Sequence, residues 1–223
     1  MKKTRLCAAV AIAVVSLLLP FMAPAQKNDW KLKKNRKGIQ VLTRDIPGSG
    51  FKEFKAVIEV EATMTSVLKL MEDISSYPLW FPNLKESRLI KMINSREMIL
   101  YHVIKLPFPA DDRDSVFKVT ASRDPRTAAV TLKLTSLHDF LPERAKTIRV
   151  RQISGSWSFI PDTARGTIKV IYQMHSDPGG KLTPLMANMA VVKRPFTVLC
   201  NMRDMLKKTA YRDAKETELR LFK

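Results

Sequence analysis

The stretch HSDPGGKLTPLMANMAVVKRPF, His175 to Phe196, leaves an apolar strand, turns sharply and enters a methionine-rich helical pattern that contains a proline. Thr183 is a favourable N-cap, and Pro184 takes the first helical position, where its missing N–H leaves no bond unmade. From there Leu185, Met189, Val192, Phe196, Leu199, Met202 and Leu206 step by three or four. That spacing predicts one continuous apolar stripe of about six turns, long enough to cross a sheet. Asp177-Pro178-Gly179-Gly180 supplies the turn, because its two glycines permit backbone angles closed to other residues. The helix can therefore fold back over the strand it has just left. Pro195 removes one intrahelical hydrogen bond and predicts a kink at the preceding turn.

What such a helix would cross lies upstream. From Ser87 onward apolar and polar residues alternate through SRLIKMI, EMILYHVIKL, SVFKVTAS, AAVTLKLTS, TIRVRQISGSWSFIP and TIKVIYQM. This predicts an antiparallel meander of roughly six strands, apolar on one face and studded with Lys, Arg and Thr on the other. Before the meander, Thr65 opens SVLKLMEDISSY, a helix with Val67, Leu68, Met71 and Ile74 on its buried face, and YPLWFPNL ends it with two prolines. Trp80 and Phe81 are placed to wedge that helix against the sheet. Earlier still, IQVLTR and FKAVIEVEA read as strands around the turn Pro47-Gly48-Ser49-Gly50. Asp29 is expected to cap a short helix, WKLKKNRK, that Gly38 stops. The predicted class is α+β, an antiparallel sheet curled around a long C-terminal helix.

The chain begins MKKTR, continues with an apolar run from Cys7 to Leu19, and offers Ala23-x-Ala25 before Gln26. This pattern predicts a secretory signal peptide over residues 1–25. The run is shorter than the roughly 20 residues a membrane-spanning helix needs, and an uncleaved anchor is the competing reading. The expected destination is the periplasm or the exterior. Residues 26–223 then form one domain with a sizeable core, since no repeat or long linker divides them. Cys7 leaves with the leader, and the remaining Cys200 reads as a packing residue.

Of 39 Lys and Arg against 21 Asp and Glu, three basic residues lie in the leader. The mature chain keeps 36 against 21, a net charge near +15, and should be drawn to anionic surfaces. Outside the cytoplasm the abundant anionic surface is a membrane, where clustered Lys and Arg contribute about 1 kcal/mol each. A generally basic set of exported proteins would give the same charge. Nucleic acid is excluded as a partner by the export signal and by the lack of basic runs with interleaved aromatics.

Several residues in order resemble the START domain, named for steroidogenic-acute-regulatory-related lipid transfer, within the helix-grip superfamily. They are Asp73, Tyr77 and Trp80; the proline-bounded PFPADDRD; Gly155-x-Trp157 with Pro161; and Asp177-Pro178-Gly179-Gly180 followed by Pro184 and Asn188. The resemblance spans nearly all of the mature chain. It implies a helix-grip fold: a monomeric, non-catalytic domain without a cofactor, holding a sterol, phospholipid or other lipid in a tunnel between the concave sheet and a C-terminal helix that acts as a lid. Members carry an Arg-Asp pair where this chain has Arg113-Asp114. A polar side chain on the preceding strand lies in the cavity of several members, at about Tyr101 or His102 here. An acid there is more typical of sterol-transfer members, which leaves the ligand class open.

The cavity wall expected from strand alternation comprises Met98, Leu100, His102, Phe117 and Val119, with Arg113 beside it. Met186, Met189, Val192 and Phe196 are expected to close it from the helix, methionines suiting a wall that adapts to irregular ligands. His102 is the one polar residue on an otherwise apolar strand face, either a contact for a lipid head group or a core histidine satisfied by backbone. Arg113, if it points inward, calls for an acidic partner. Asp111, Asp112 and Asp114 lack companions for a metal site and read as a solvated turn. No metalloprotease histidine pair, Gly-x-Ser-x-Gly elbow, Cys-x-x-Cys pair or phosphate loop occurs. A cyclase-like enzyme of the same superfamily and a cavity-free periplasmic protein that binds an acidic partner are the alternative functions.

Overall fold

A computed structural model describes residues 29–222; the expected leader lies outside the described residues. Ten strands form one sheet: β1 (Lys31–Arg36), β2 (Ile39–Arg44), β3 (Glu53–Glu61), β4 (Leu84–Asn94), β5 (Glu97–Ile104), β6 (Asp112–Arg123), β7 (Val130–Ser136), β8 (Thr147–Arg149), β9 (Gln152–Asp162) and β10 (Thr167–Asp177). The helices are α1 (Met64–Glu72), α2 (Pro184–Leu206) and the short α3 (Thr209–Arg212). Along the sheet the order is β1-β2-β3-β10-β9-β7-β6-β5-β4, with β8 pairing β6 off that path. Along this path every pairing is antiparallel, and the last strand of the meander joins the first three, so that the curved sheet wraps α2.

One element differs in kind from the sequence reading. WKLKKNRK is not a helix but the edge strand β1, paired with β2 from Lys31 opposite Thr43 to Arg36 opposite Ile39. Gly38 does not stop a helix; it completes a two-residue hairpin in which Lys37 and Gly38 both have positive φ, 54° and 73°. That geometry matches the right-handed twist of the flanking strands. Strand alternation was hidden because Leu32 is the only apolar residue of β1 and is itself exposed. Lysines along a sheet edge also discourage pairing with other chains.

α1 starts two residues before the expected position, because Thr63 rather than Thr65 caps it: its Oγ1 accepts the Ser66 N–H at 3.0 Å. The helix buries Val67, Leu68, Leu70 and Met71. A 3-10 turn, Ile74–Leu79, carries the chain to Trp80, which is fully buried. Tyr77 closes this corner by donating its hydroxyl to the Met71 carbonyl at 2.6 Å.

The segment TIRVRQISGSWSFIP divides into β8 and β9. β8 runs parallel to β6, with Arg113 opposite Ile148 and Asp114 opposite Arg149. Arg149 donates from Nε and Nη2 to the Asp114 carboxylate at 3.0 and 2.9 Å, and both side chains are buried. Burying this pair forces the strand to break after Arg149 and re-enter the sheet at Gln152. The outer sheet face is also less polar here than alternation predicts: Ile99, Tyr101, Val103 and Val116 form a second cluster, covered by Leu137 and Leu141.

In α2, Pro195, Val198, Leu199, Met202, Met205 and Leu206 are buried, and all six lie in the C-terminal part. Leu185, Met186 and Met189 are exposed, Leu185 by 75% and Met189 by 74%. The expected stripe thus holds from Leu199 onward, is only partly buried at Val192 and Phe196, and fails at Leu185 and Met189. The face turned to the sheet over the first turns carries Ala187, Val191 and Arg194 instead. Pro195, which cannot donate to the Val191 carbonyl, marks the boundary between an anchored half and a covering half.

Candidate functional site

A cavity of about 230 Å3 lies between the concave sheet and the covering half of α2. Strand register places its walls in pairs: Met98 opposite Val119, Leu100 opposite Phe117 and His102 opposite Ser115 on β5 and β6, and Trp157 opposite Tyr172 on β9 and β10. All eight line the cavity. The five sheet residues expected from alternation therefore face it, as does Arg113.

The four expected from the helix do not. Met186 and Met189 point to solvent. Val192 and Phe196 pack against the periphery of the core, and Phe196 lies under the Lys34 ammonium, 3.7 Å from its ring centroid. The cause is a rotation of about 100° per residue around a helix axis: following the largest apolar side chains selected a face one position away from Ala187, Asn188, Ala190, Val191 and Arg194, which do line the cavity. Small residues there leave room beneath the helix.

An aromatic wall fills one side. Trp157 and Tyr172 stack at 3.9 Å between centroids and 6° between planes, Phe54 meets Tyr172 edge-on at 4.9 Å, and Phe81 sits between Trp80 and Tyr172. His102 packs edge-on to Phe117 at 4.8 Å and to Tyr77 at 5.8 Å. Its Nε2 is buried and has no hydrogen-bond partner among the described residues. Burial, and then the charge of Arg194, push His102 down to about 3, so the ring is neutral at physiological pH. Burial pushes the Tyr172 hydroxyl up to about 12, with Arg194 opposing; among the described residues the hydrogen-bond partner of that hydroxyl is the Met174 sulfur at 3.8 Å.

Two arginines line the cavity in different states. Arg113 uses three of its five N–H donors: Nε donates to Pro178 O at 2.8 Å, Nη2 to Gly179 O at 3.0 Å and Nη1 to Asp111 O at 2.6 Å. It has carbonyl partners where an acid was expected, because Asp114 turns to the other face and is taken by Arg149. Gly179 and Gly180, at φ of 63° and 65°, present the turn to Arg113, and a Cβ on Gly180 would lie 3.2 Å from its Nη2. Arg194, by contrast, makes one long bond, Nη2 to Pro82 O at 3.4 Å. Burial lowers its affinity for its proton.

The covering half of α2 is fastened to the β2–β3 loop by Asn188. Its Oδ1 accepts the Lys52 N–H at 3.0 Å and its Nδ2 donates to Gly50 O at 3.2 Å. His175 closes the same corner, with Nε2 3.1 Å from Ser49 Oγ and 3.2 Å from Phe51 O. Arg194, Asn188, Tyr172 and Trp157 were absent from the site expected from sequence. A lone arginine at helical spacing between Val191 and Val198 was the available signal for the first of these.

A family model for the START domain matches residues 19–210. An uncharacterised protein of Pseudomonas aeruginosa is 29% identical over 184 residues, covering 82% of this chain and 90% of that protein. The phosphatidylcholine transfer protein of Mus musculus is 27% identical over 168 residues, covering 73% and 76%. Among solved structures, a STAR-related lipid transfer protein fragment from Xanthomonas axonopodis superposes with a TM-score of 0.75 at 31% identity, over 80% of this chain and 99% of that one. Human StAR-related lipid transfer protein 5 gives a TM-score of 0.70 at 16% identity, over 81% and 88%, a likeness of fold.

Proposed function

The chain belongs to the START domain family, and on that premise we propose that it carries one lipid molecule in the cavity under α2 and exchanges it with membranes without altering it chemically. The observation that carries this reading is the division of α2 at Pro195. A C-terminal half buries its side chains in the core, while the half before it covers an apolar cavity with small residues and turns Leu185 and Met189 to solvent. The names of the relatives, phosphatidylcholine transfer and lipid transfer, support lipid as the cargo.

At about 230 Å3 the cavity is smaller than the roughly 300–1,000 Å3 usual for ligand pockets. A lipid therefore enters by displacing the covering half of α2. Leu185, Met186, Met189 and the exposed Phe108 of the β5–β6 loop are the apolar residues that would enter the interface, and the excess of Lys and Arg would hold the chain on an anionic leaflet. In this reading the protein acts as an exported, peripheral monomer. The test is purification from the native host followed by native mass spectrometry and a liposome transfer assay. Stoichiometric lipid and accelerated transfer are expected; an empty protein that moves no lipid would refute the reading, and turnover of an added ligand would favour an enzyme.

A further inference from the structure

We infer that Arg194 holds the anionic head group of the cargo, so that the lipid carried is one with an accessible phosphate or carboxylate. The inference deepens the lipid-carrier reading and rests on it. Among the described residues, two buried arginines of the sheet side are well bonded: Arg149 places all five N–H donors, on Asp114 and three carbonyls, and Arg113 places three, on carbonyls. Arg194 pairs with no carboxylate among the described residues, and of its five N–H donors one makes a bond, at 3.4 Å. An arginine facing an apolar cavity without a counter-charge is costly unless a ligand supplies one.

The surroundings fit the same occupant. Tyr172 and His102 line the cavity with Arg194 and also lack oxygen partners there, the hydroxyl of Tyr172 having only a sulfur and Nε2 of His102 nothing. A phosphate or carboxylate oxygen accepts from a guanidinium in a bidentate fork and can accept from a tyrosine hydroxyl or an imidazole N–H besides. No carboxylate is counted among the lining residues to repel it. The apolar chain of the ligand would then run between Met98, Leu100, Phe117 and Trp157.

The experiment compares oleoyl lysophosphatidic acid with monooleoylglycerol, which share an acyl chain and differ by the phosphate, as ligands of the full mature chain in titration calorimetry. The wild type is expected to prefer the phosphorylated probe by about tenfold or more. Arg194→Gln is expected to remove that preference while leaving affinity for the neutral probe within about threefold, and Arg194→Lys to restore part of it. Equal affinity of the wild type for both probes, or equal loss of both in Arg194→Gln, overturns the inference while the carrier reading stands. Binding of neither probe by the wild type defeats both. Inorganic phosphate serves as the further arm: if it alone stabilises the wild type and the lipid phosphate does not bind, the arginine serves a free anion and the inference fails. Circular dichroism of Arg194→Gln controls for folding; should that variant fail to fold, 31P chemical-shift perturbation of the bound probe on the wild type and Arg194→Lys decides, an unshifted resonance overturning the inference.

Discussion

Arg149 and Asp114 face each other beneath the loop between β7 and β8, joined by two hydrogen bonds, with side chains 2% and 1% exposed. Three backbone carbonyls, of His138, Leu141 and Pro142, take further guanidinium donors, so the pair pins that loop over the outer face of β5 and β6. Asp114→Asn leaves the arginine buried without its counter-charge and is expected to cost about 3–5 kcal/mol. Urea unfolding measures it. Asp114→Leu combined with Arg149→Met should lose markedly less than either single change, because it removes both charges.

His102 makes stability depend on pH. Its folded-state value lies near 3 against an ordinary 6.5, so below about pH 6.5 the unfolded chain takes up a proton that the folded chain does not. The stability conferred by the neutral buried ring is complete above pH 6.5 and is lost as pH falls toward 3. Between pH 6.5 and 5.5 this amounts to about 1 kcal/mol. Wild type minus His102→Phe, followed by denaturant titration at both pH values, isolates the histidine from the carboxylates; an identical pH dependence in both would count against its being neutral in the fold.

Asn188 holds the covering half of α2 through two hydrogen bonds to the β2–β3 loop. Asn188→Ala forgoes about 1 kcal/mol for each, and is expected to speed amide exchange from Leu185 to Arg194 by roughly tenfold or more while leaving Val198 to Leu206 protected. Uniform protection across α2 in the wild type would show that the helix does not open in halves at Pro195.

The orientation of α2 separates two tryptophan substitutions. Val191 lines the cavity and Met189 is exposed. Val191→Trp should obstruct the cavity and reduce lipid uptake by about an order of magnitude with the fold retained. Met189→Trp should leave uptake of a soluble single-chain lipid unchanged. If both variants lose uptake alike, the covering helix sits in another rotation.

Membrane transfer and cavity binding are distinguished by Met189→Glu with Leu185→Glu. Both side chains are exposed, so stability should change by no more than about 0.5 kcal/mol. Extraction of lipid from anionic vesicles should nevertheless slow severalfold, since the charges oppose insertion into the interface. Unchanged transfer would place the docking face elsewhere.

Local pattern carried most of the architecture. Period-two alternation from Ser87 to Met174 specified the strands of the meander, and with them which residues of β5 and β6 face inward, because a strand has only two faces and one is buried. Thr183, Pro184 and the double glycine marked where α2 begins for reasons internal to the chain. β1 escaped because an edge strand is held by backbone bonds to a neighbour and needs no apolar side chains of its own. The break between β8 and β9 escaped because it follows from the pairing of Arg149 with Asp114, 35 residues earlier.

The sequence by itself determined the fold class, the order of its elements apart from β1 and the β8–β9 break, and which residues of β5 and β6 share the inward face, Met98, Leu100, His102, Phe117 and Val119. Tertiary structure decided which side of α2 closes that wall. A helix can turn any of its faces inward, and apolar residues spread around α2 left the choice to packing against the sheet and to the Asn188 fastening. That choice sent the methionines outward and brought Arg194 over the cavity. Whether an arginine is well bonded like Arg113 or open like Arg194 depends on carbonyls and carboxylates distant in the chain, which only folding brings within reach.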